Sequence, residues 1–288
     1  DRRLLVWNLT EVMSGTLDQT FYYPSMAMNG NQPLFSYSND NNGYTYRTTG
    51  DTNSAFRSGA WFERHTALAR TAGGQEWIAS VQDAFDGNGI GYLYVNRDRQ
   101  QNALLGGNPQ TNTRHFEIQG LDYLTTQLNR IKYPKLHVDG PDNATNIYLT
   151  YYDSHPGARE LNFVSFRAAD ATNSNLTQPG GDNGRATQVQ TIPGTSGASS
   201  EYFDMVKVNA TDVAVVYFDQ NAGSLKMKYS SDAWDANNLS GGGSWTEQVI
   251  DASPLTGSHV SAAVGQRGGT TYLYVAYQDA AATSLKFA

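Results

Sequence analysis

The sequence predicts an all-β chain made of one antiparallel unit used five times, and three observations predict it. The first is composition. Only 16% of the 288 residues are charged, while aromatics reach 12%, with 18 Tyr and 28 Gly. That mix is poor for helices and suits strands joined by tight turns. The second is a hairpin pattern that recurs: "QPLFSYSNDNNGYTYRTT" (32–49), "EWIASVQDAFDGNGIGYLYV" (76–95), "NIYLTYYDSHPGARELNFVSF" (146–166), "DVAVVYFDQNAGSLKMKYS" (212–230) and "YLYVAYQDAAATSLKFA" (272–288). Each is an alternating strand running to an Asp, a turn rich in Gly, Asn and Ala, and a second alternating strand. The third is what flanks the hairpins. A short alternating strand precedes all five, and another strand follows four of them.

The preceding strands are "YYPSMAMN" (22–29), "RHTALART" (64–71), "YPKLHVD" (133–139), "EYFDMVKVN" (201–209) and "SHVSAAVG" (258–265). Small residues such as Ala67, Ala69, Ala262 and Ala263 suit crowded inner positions. The following strands are "FRSGAWFE" (56–63), "RHFEIQG" (114–120), "RATQVQTI" (185–192) and "SWTEQVID" (244–251). The fifth hairpin has no such follower, whereas "RLLVWNLTEV" (3–12) alternates and has no hairpin of its own. Letting the orphan strand complete the incomplete unit uses every piece and deals with the exposed edges that isolated sheets must manage. The predicted fold is therefore a five-bladed β-propeller of four-stranded antiparallel blades, closed by the N-terminal strand joining the C-terminal blade. It forms a single domain over 1–288. The blades span about 22–63, 64–120, 133–192, 201–251 and 258–288 plus 3–12. The turn residues Asp40, Asp83, Asp153, Asp219 and Asp279 lie 43, 70, 66 and 60 residues apart. Blades of this kind take about 40–50 residues, so the excess falls in inserts such as 97–113 and 167–184.

The pattern Tyr-x-Asp, short turn, Ser-Leu-Lys in "VYFDQNAGSLKMKYS" and "AYQDAAATSLKFA" resembles the repeats of bacterial extracellular propellers of the sialidase-like and lectin-like kind. The resemblance covers those two copies well and the other three loosely. It implies a propeller and a secreted or cell-surface setting, and it implies no particular activity.

A net charge of -7 with no Lys/Arg cluster argues against nucleic acid as a partner. No apolar run approaches the ~18–20 residues of a membrane-spanning helix. The chain has no Cys, which removes disulfides, thiolate nucleophiles and Cys-based metal sites. The opening "DRRLLVWN" has neither an initiator Met nor a signal peptide, and fits a mature form or an excised domain. Expected partners are a glycan or a cell-surface protein, with self-association as a further option.

A residue present in every blade is scaffold, so the five turn Asp side chains are expected to accept turn amides. Residues that break the repeat are the informative ones. His65 and His259 hold the same place in two blades; with His137 and Asp204 they could gather at a channel mouth. Tyr23, Tyr133 and Tyr202 share the adjacent register, where aromatic faces suit sugar rings or pack between blades. Arg64 adds a cation. The expected ligand-binding set is Tyr23, Arg64, His65, Tyr133, His137, Tyr202, Asp204 and His259. No cofactor is expected, though the oxygen-rich turns "NDNNG" (39–43) and "DAFDGNGIG" (83–91) offer groups that calcium could use.

Glycoside hydrolysis needs two carboxylates. The first two inner strands carry no acid, and only Asp204 of the later candidates Asp139, Glu201 and Asp204 stands well placed. The expected function is accordingly a non-catalytic, lectin-like or adhesin-like propeller. A surface-layer or filament subunit and a five-bladed glycoside hydrolase are the alternatives.

Overall fold

The computed structural model describes residues 21–29, 32–39, 44–49, 63–74, 76–83, 91–97, 115–118, 131–141, 145–154, 159–167, 190–233, 244–253, 257–279 and 282–288. All regular structure among them is β. The alternating segments become strands because period-two burial needs an extended backbone, and the polar Gly/Asn/Asp stretches between them supply the reversals.

Strands β1 (Phe21–Asn29), β2 (Gln32–Asn39) and β3 (Tyr44–Thr49) form a first antiparallel sheet. A second follows from β4 (Glu63–Arg70), β5 (Glu76–Asp83), β6 (Gly91–Arg97) and β7 (His115–Ile118). The third comprises β8 (Ile131–Asp139), β9 (Asn146–Asp153), β10 (Glu160–Arg167) and the short β11 (Gln190–Thr191). The fourth comprises β12 (Ser199–Lys207), β13 (Val213–Asp219), β14 (Ser224–Ser230) and β15 (Thr246–Asp251). The last contains β16 (Gly257–Arg267), β17 (Thr270–Asp279) and β18 (Ser284–Phe287). Each sheet meanders in chain order. The expected strands at 3–12 and, apart from Glu63, at 56–63 lie outside the described residues.

The first strands of the sheets neighbour one another in sequence: β1 beside β4, β4 beside β8, β8 beside β12 and β12 beside β16. The sheets thus stack face to face around these inner strands. Among the described residues the largest core lies between the third and fourth sheets, where Tyr148, Leu161 and Phe163 meet Phe203, Met205, Val215 and Tyr217. A second core joins the fourth and fifth sheets through Val216, Phe218 and Leu225 against Val275 and Tyr277. Burying side chains of this size contributes about 1.5–3 kcal/mol each. β13 is buried along its whole length, because it is covered by a neighbour on both faces.

Every inner strand shifts register near its start: β1 between Tyr22 and Ser25, β4 between Arg64 and Thr66, and β8 between Lys132 and Lys135. The same happens in β12 between Ser199 and Phe203 and in β16 between Ser258 and Val260. A bulge bends a strand and re-aims its side chains. In three of the five the extra residue takes a left-handed backbone: His65 at φ 52°, Tyr133 at 54° and His259 at 60°.

Candidate functional site

A cavity of about 420 Å³ opens between the inner strands. Its wall includes Ser25 of β1, Thr66 and Arg70 of β4, Lys135 and His137 of β8 and Asp204 of β12. Beyond each bulge, every second residue of an inner strand faces inward. That alternation brings Lys135 and His137 to the same wall.

Asp204 is the best-connected of these groups. Its Oδ2 accepts the backbone N–H of Ala262 on β16 at 2.9 Å, and its Oδ1 accepts the N–H of Met205 at 3.0 Å. Lys135 Nζ lies 3.5 Å from the same Oδ1. One carboxylate therefore ties three neighbouring inner strands together. His137 donates from Nε2 to the Met205 carbonyl at 2.7 Å, which leaves Nδ1 as the ring's lone-pair nitrogen. Burial holds the His137 pKa below its ordinary value. The Met205 carbonyl and the Asp204 carboxylate oppose that shift without reversing it. The imidazole is thus kept neutral and oriented beside a carboxylate and an ammonium group.

The bulge residues take a different place. The buried His65 ring meets the Tyr133 ring edge-on at 4.5 Å, joining the second sheet to the third. Tyr202 and His259 repeat the contact at 5.1 Å between the fourth and fifth sheets. The void beside Tyr202 and His259 is only about 10 Å³, walled by Phe218, Leu225 and Tyr277, which is room for a single water at most. These four rings are seams between sheets. Tyr23 lies within the β1 bulge and Arg64 opposite Val81 at the start of β4; their side chains lie outside what the structure describes. Of the eight residues singled out in the sequence, the structure brings His137 and Asp204 together at the cavity. Ser25, Thr66 and Arg70 were missed. The signal that could have found them is polarity at alternate positions after each strand start. The oxygen-rich turns fall mostly outside the described residues. Among the described residues no cluster of three or more His, Asp or Glu side chains is set to hold a metal.

The scaffold reading of the turn acids can be followed in two copies. Asp219 Oδ1 accepts the N–H groups of Asn221 and Ala222, both at 2.9 Å, and Asp279 Oδ1 accepts that of Ala282 at 3.2 Å.

No protein-family model matches the sequence, and no curated protein sequence does. Solved structures match its fold. A Hadza microbial sialidase (Hz136) aligns with TM-score 0.50 and 11% identity over 93% of this chain; the chain spans 56% of that protein. A Penicillium chrysogenum α-L-arabinanase complexed with arabinobiose aligns with TM-score 0.51 and 12% identity, over 93% of this chain and 77% of that one. A Cellvibrio cellulosa α-L-arabinanase complexed with arabinohexaose aligns with TM-score 0.42 and 12% identity, over 93% and 91%. At such identities the likeness speaks for a propeller-like all-β fold.

These neighbours overturn the expectation of a non-catalytic, lectin-like or adhesin-like module, since the propellers the chain resembles are enzymes. The physical reason for the error is that inner-strand acids were counted as if no other element could supply one. A carboxylate reaches a channel from a loop as readily as from a strand, and fold does not fix activity.

Proposed function

We propose that the chain is a glycoside hydrolase of the propeller type, working outside the cell and built on a ring of five blades. Its sugar substrate enters the cavity between the inner strands. The observation that carries this reading is the polar cavity wall of Asp204, Lys135 and His137, in a fold that resembles a sialidase and an arabinanase. Cavities of a few hundred Å³ with a few convergent polar groups are the usual form of small-molecule sites.

The chemistry follows from the groups present. Glycoside cleavage passes through an oxocarbenium-like transition state, which a carboxylate stabilises electrostatically. Asp204 supplies that carboxylate and is held in position by Ala262 and Lys135. His137, neutral and fixed through Nε2, offers a lone pair at Nδ1 for hydrogen-bonding a sugar hydroxyl. Among the described residues lining the cavity Asp204 is the one carboxylate, so the second acid that such hydrolysis requires is to be found by scanning the remaining Asp and Glu residues.

The test is turnover on a panel of nitrophenyl glycosides, sialosides and linear arabino-oligosaccharides. The expected result is release of nitrophenol or new reducing ends by the native chain and its loss in Asp204→Asn. A folded native chain that turns over no member of the panel overturns the reading.

A further inference from the structure

Two groups on the cavity wall are equipped for more than hydrogen-bonding a sugar. Lys135 is the first residue of β8 to pair with β9 beyond the bulge, and His137 follows two places on. That spacing puts both side chains on one face of the strand, and both line the cavity. His137 is pinned through Nε2 on the Met205 carbonyl, while its Nδ1 has no hydrogen-bond partner among the described residues. A fixed neutral imidazole with one open lone pair is a proton acceptor. Among the described residues Lys135 Nζ has one anionic neighbour, Asp204 Oδ1 at 3.5 Å, a separation longer than a charge-assisted hydrogen bond. Asp204 already accepts two backbone N–H groups, that of Ala262 on one oxygen and that of Met205 on the other. The ammonium group therefore keeps donors for a ligand.

Charge points to what that ligand is. The whole chain carries a net charge of -7. Among the described residues lining the cavity the charged side chains are Arg70, Lys135 and Asp204, two cations to one carboxylate. The cations come from different inner strands, and Arg70 is held by the bond from its Nε to the Gly74 carbonyl at 3.1 Å. A wall of this kind favours a sugar polymer that bears carboxylates of its own.

We propose that the cavity cleaves a second class of substrate, 4-linked glycans of uronic acids, by β-elimination, with His137 as the base and Lys135 as the counter-charge to the sugar carboxylate. This goes beyond hydrolysis and needs no second acid. The C5 hydrogen of a uronate lies next to its carboxyl group, so its removal places negative charge on the carboxylate oxygens, where a cation stabilises it. His137 Nδ1 takes that proton. The C5–H electron pair becomes the C4=C5 double bond. The C4–O bond breaks, and its oxygen takes the proton back from the imidazolium. Nothing is oxidised or reduced, and no water is consumed. Burial keeps the His137 ring in the neutral form from which this step starts.

The experiment incubates the full chain with polygalacturonate, with alginate and with carboxyl-reduced polygalacturonate, and follows the ultraviolet absorbance of the conjugated double bond beside new reducing ends. The expected result is unsaturated product from a polyuronate and none from the reduced polymer. His137→Gln, whose amide can still donate to the Met205 carbonyl, is expected to lose at least about a hundredfold in rate while staying folded. Lys135→Met is expected to lose about as much, and Lys135→Arg to recover part of it. Absence of unsaturated product from both polyuronates with the folded native chain overturns the proposal, as does a native rate in His137→Gln. New reducing ends without unsaturation mean hydrolysis and overturn it as well, leaving the proposed hydrolase standing. Unsaturated product from a chain that turns over no member of the glycoside panel supports the elimination and removes the hydrolase, so the two readings fail separately.

Discussion

Lys226 donates to Asp219 at 2.8 Å across the β13–β14 hairpin, and Lys286 makes the same contact with Asp279 at 2.9 Å one sheet further on. This gives the repeated Tyr-x-Asp, turn, Ser-Leu-Lys pattern a physical meaning. The Asp caps the turn with one oxygen and binds the Lys with the other. Outer-strand acids extend both pairs. Glu247 lies 3.1 Å from Lys226 and Asp251 lies 3.5 Å from Lys286, while Tyr217 donates to Glu247 at 3.2 Å and Tyr277 to Asp251 at 2.6 Å. Burial works against the charge of Asp219, yet Lys226 and the turn amides outweigh it and lower its pKa. With the Asp219 side chain only 6% exposed, removing its partner leaves a poorly solvated charge. Lys226→Met is expected to destabilise the fold by about 3 kcal/mol, read from urea unfolding. Lys286→Met, at a more exposed pair, is expected to cost clearly less. Equal losses would contradict this account.

A second prediction concerns acid. Lys228 Nζ sits 2.8 Å from Glu247 Oε2. The hydrogen bond from Lys228 comes first in holding the Glu247 pKa down to about 2, with Lys226 adding to it against some desolvation. A depressed carboxylate stabilises the folded state above its unfolded pKa of roughly 4.3 and loses that contribution as pH falls toward the folded value. The stability difference between the native chain and Glu247→Gln is therefore expected to be constant above about pH 5 and to shrink steadily from there toward pH 2. Unfolding titrations at several pH values measure it; a difference that grows on acidification has the wrong sign.

The hairpins and inner strands were legible in the sequence because a half-buried strand writes its two-residue period directly into side-chain polarity. The unevenness lies elsewhere. The bulges at His65, Tyr133 and His259 left no mark, because left-handed backbone is announced by Gly or Asn and here falls on bulky rings held by contacts with the next sheet. Asp204 and His137 could be picked out as polar residues on inner strands. Their partners could not, since Ala262 is 58 residues from Asp204 and Met205 is 68 from His137. Those bonds exist only once the sheets stack. Activity was the least legible feature, because it depends on how few groups converge and not on a repeat.

Those bulges give a third prediction. A β-branched side chain is poorly accommodated at positive φ, whereas Gly adopts it freely. His259→Val is expected to cost about 1–2 kcal/mol more than His259→Gly, although Gly removes the contact with Tyr202 as fully as Val does. Thermal unfolding of the two variants decides it, and the reverse order would mean that the ring contact, not the backbone, governs the site.

His137 yields a fourth. Its pKa is lowered chiefly by burial, so protonation favours the unfolded chain. The folded state keeps its full stability above the ordinary His value of about 6.5 and loses part of it as pH falls below that value. In NMR the His137 ring is expected to titrate below the ordinary range, with the proton on Nε2 in the neutral form. His137→Gln, whose amide can still donate to the Met205 carbonyl, is expected to flatten the stability profile between about pH 6.5 and 5. A ring that titrates above the ordinary range contradicts the geometry.

Asp204 allows positioning and chemistry to be separated. Asp204→Ala removes the acceptor of the Ala262 N–H and is expected to cost about 1–3 kcal/mol, the penalty of an unsatisfied amide in a partly buried place. Asp204→Asn keeps a carbonyl oxygen for that N–H; it gives up the acceptor of the Met205 N–H and the charge toward Lys135, a side chain 36% exposed, where a lost ion pair costs little. Its stability is expected to lie much nearer the native value. Glycoside turnover, by contrast, needs the carboxylate itself, so both variants are expected to fall at least a hundredfold in kcat, on the order of 2.7 kcal/mol in the barrier. Stability measured by urea unfolding and activity measured on the best panel substrate should therefore rank the two variants differently. If Asp204→Asn keeps native kcat, Asp204 is a strand clamp alone, and the carboxylates that act on the sugar stand elsewhere.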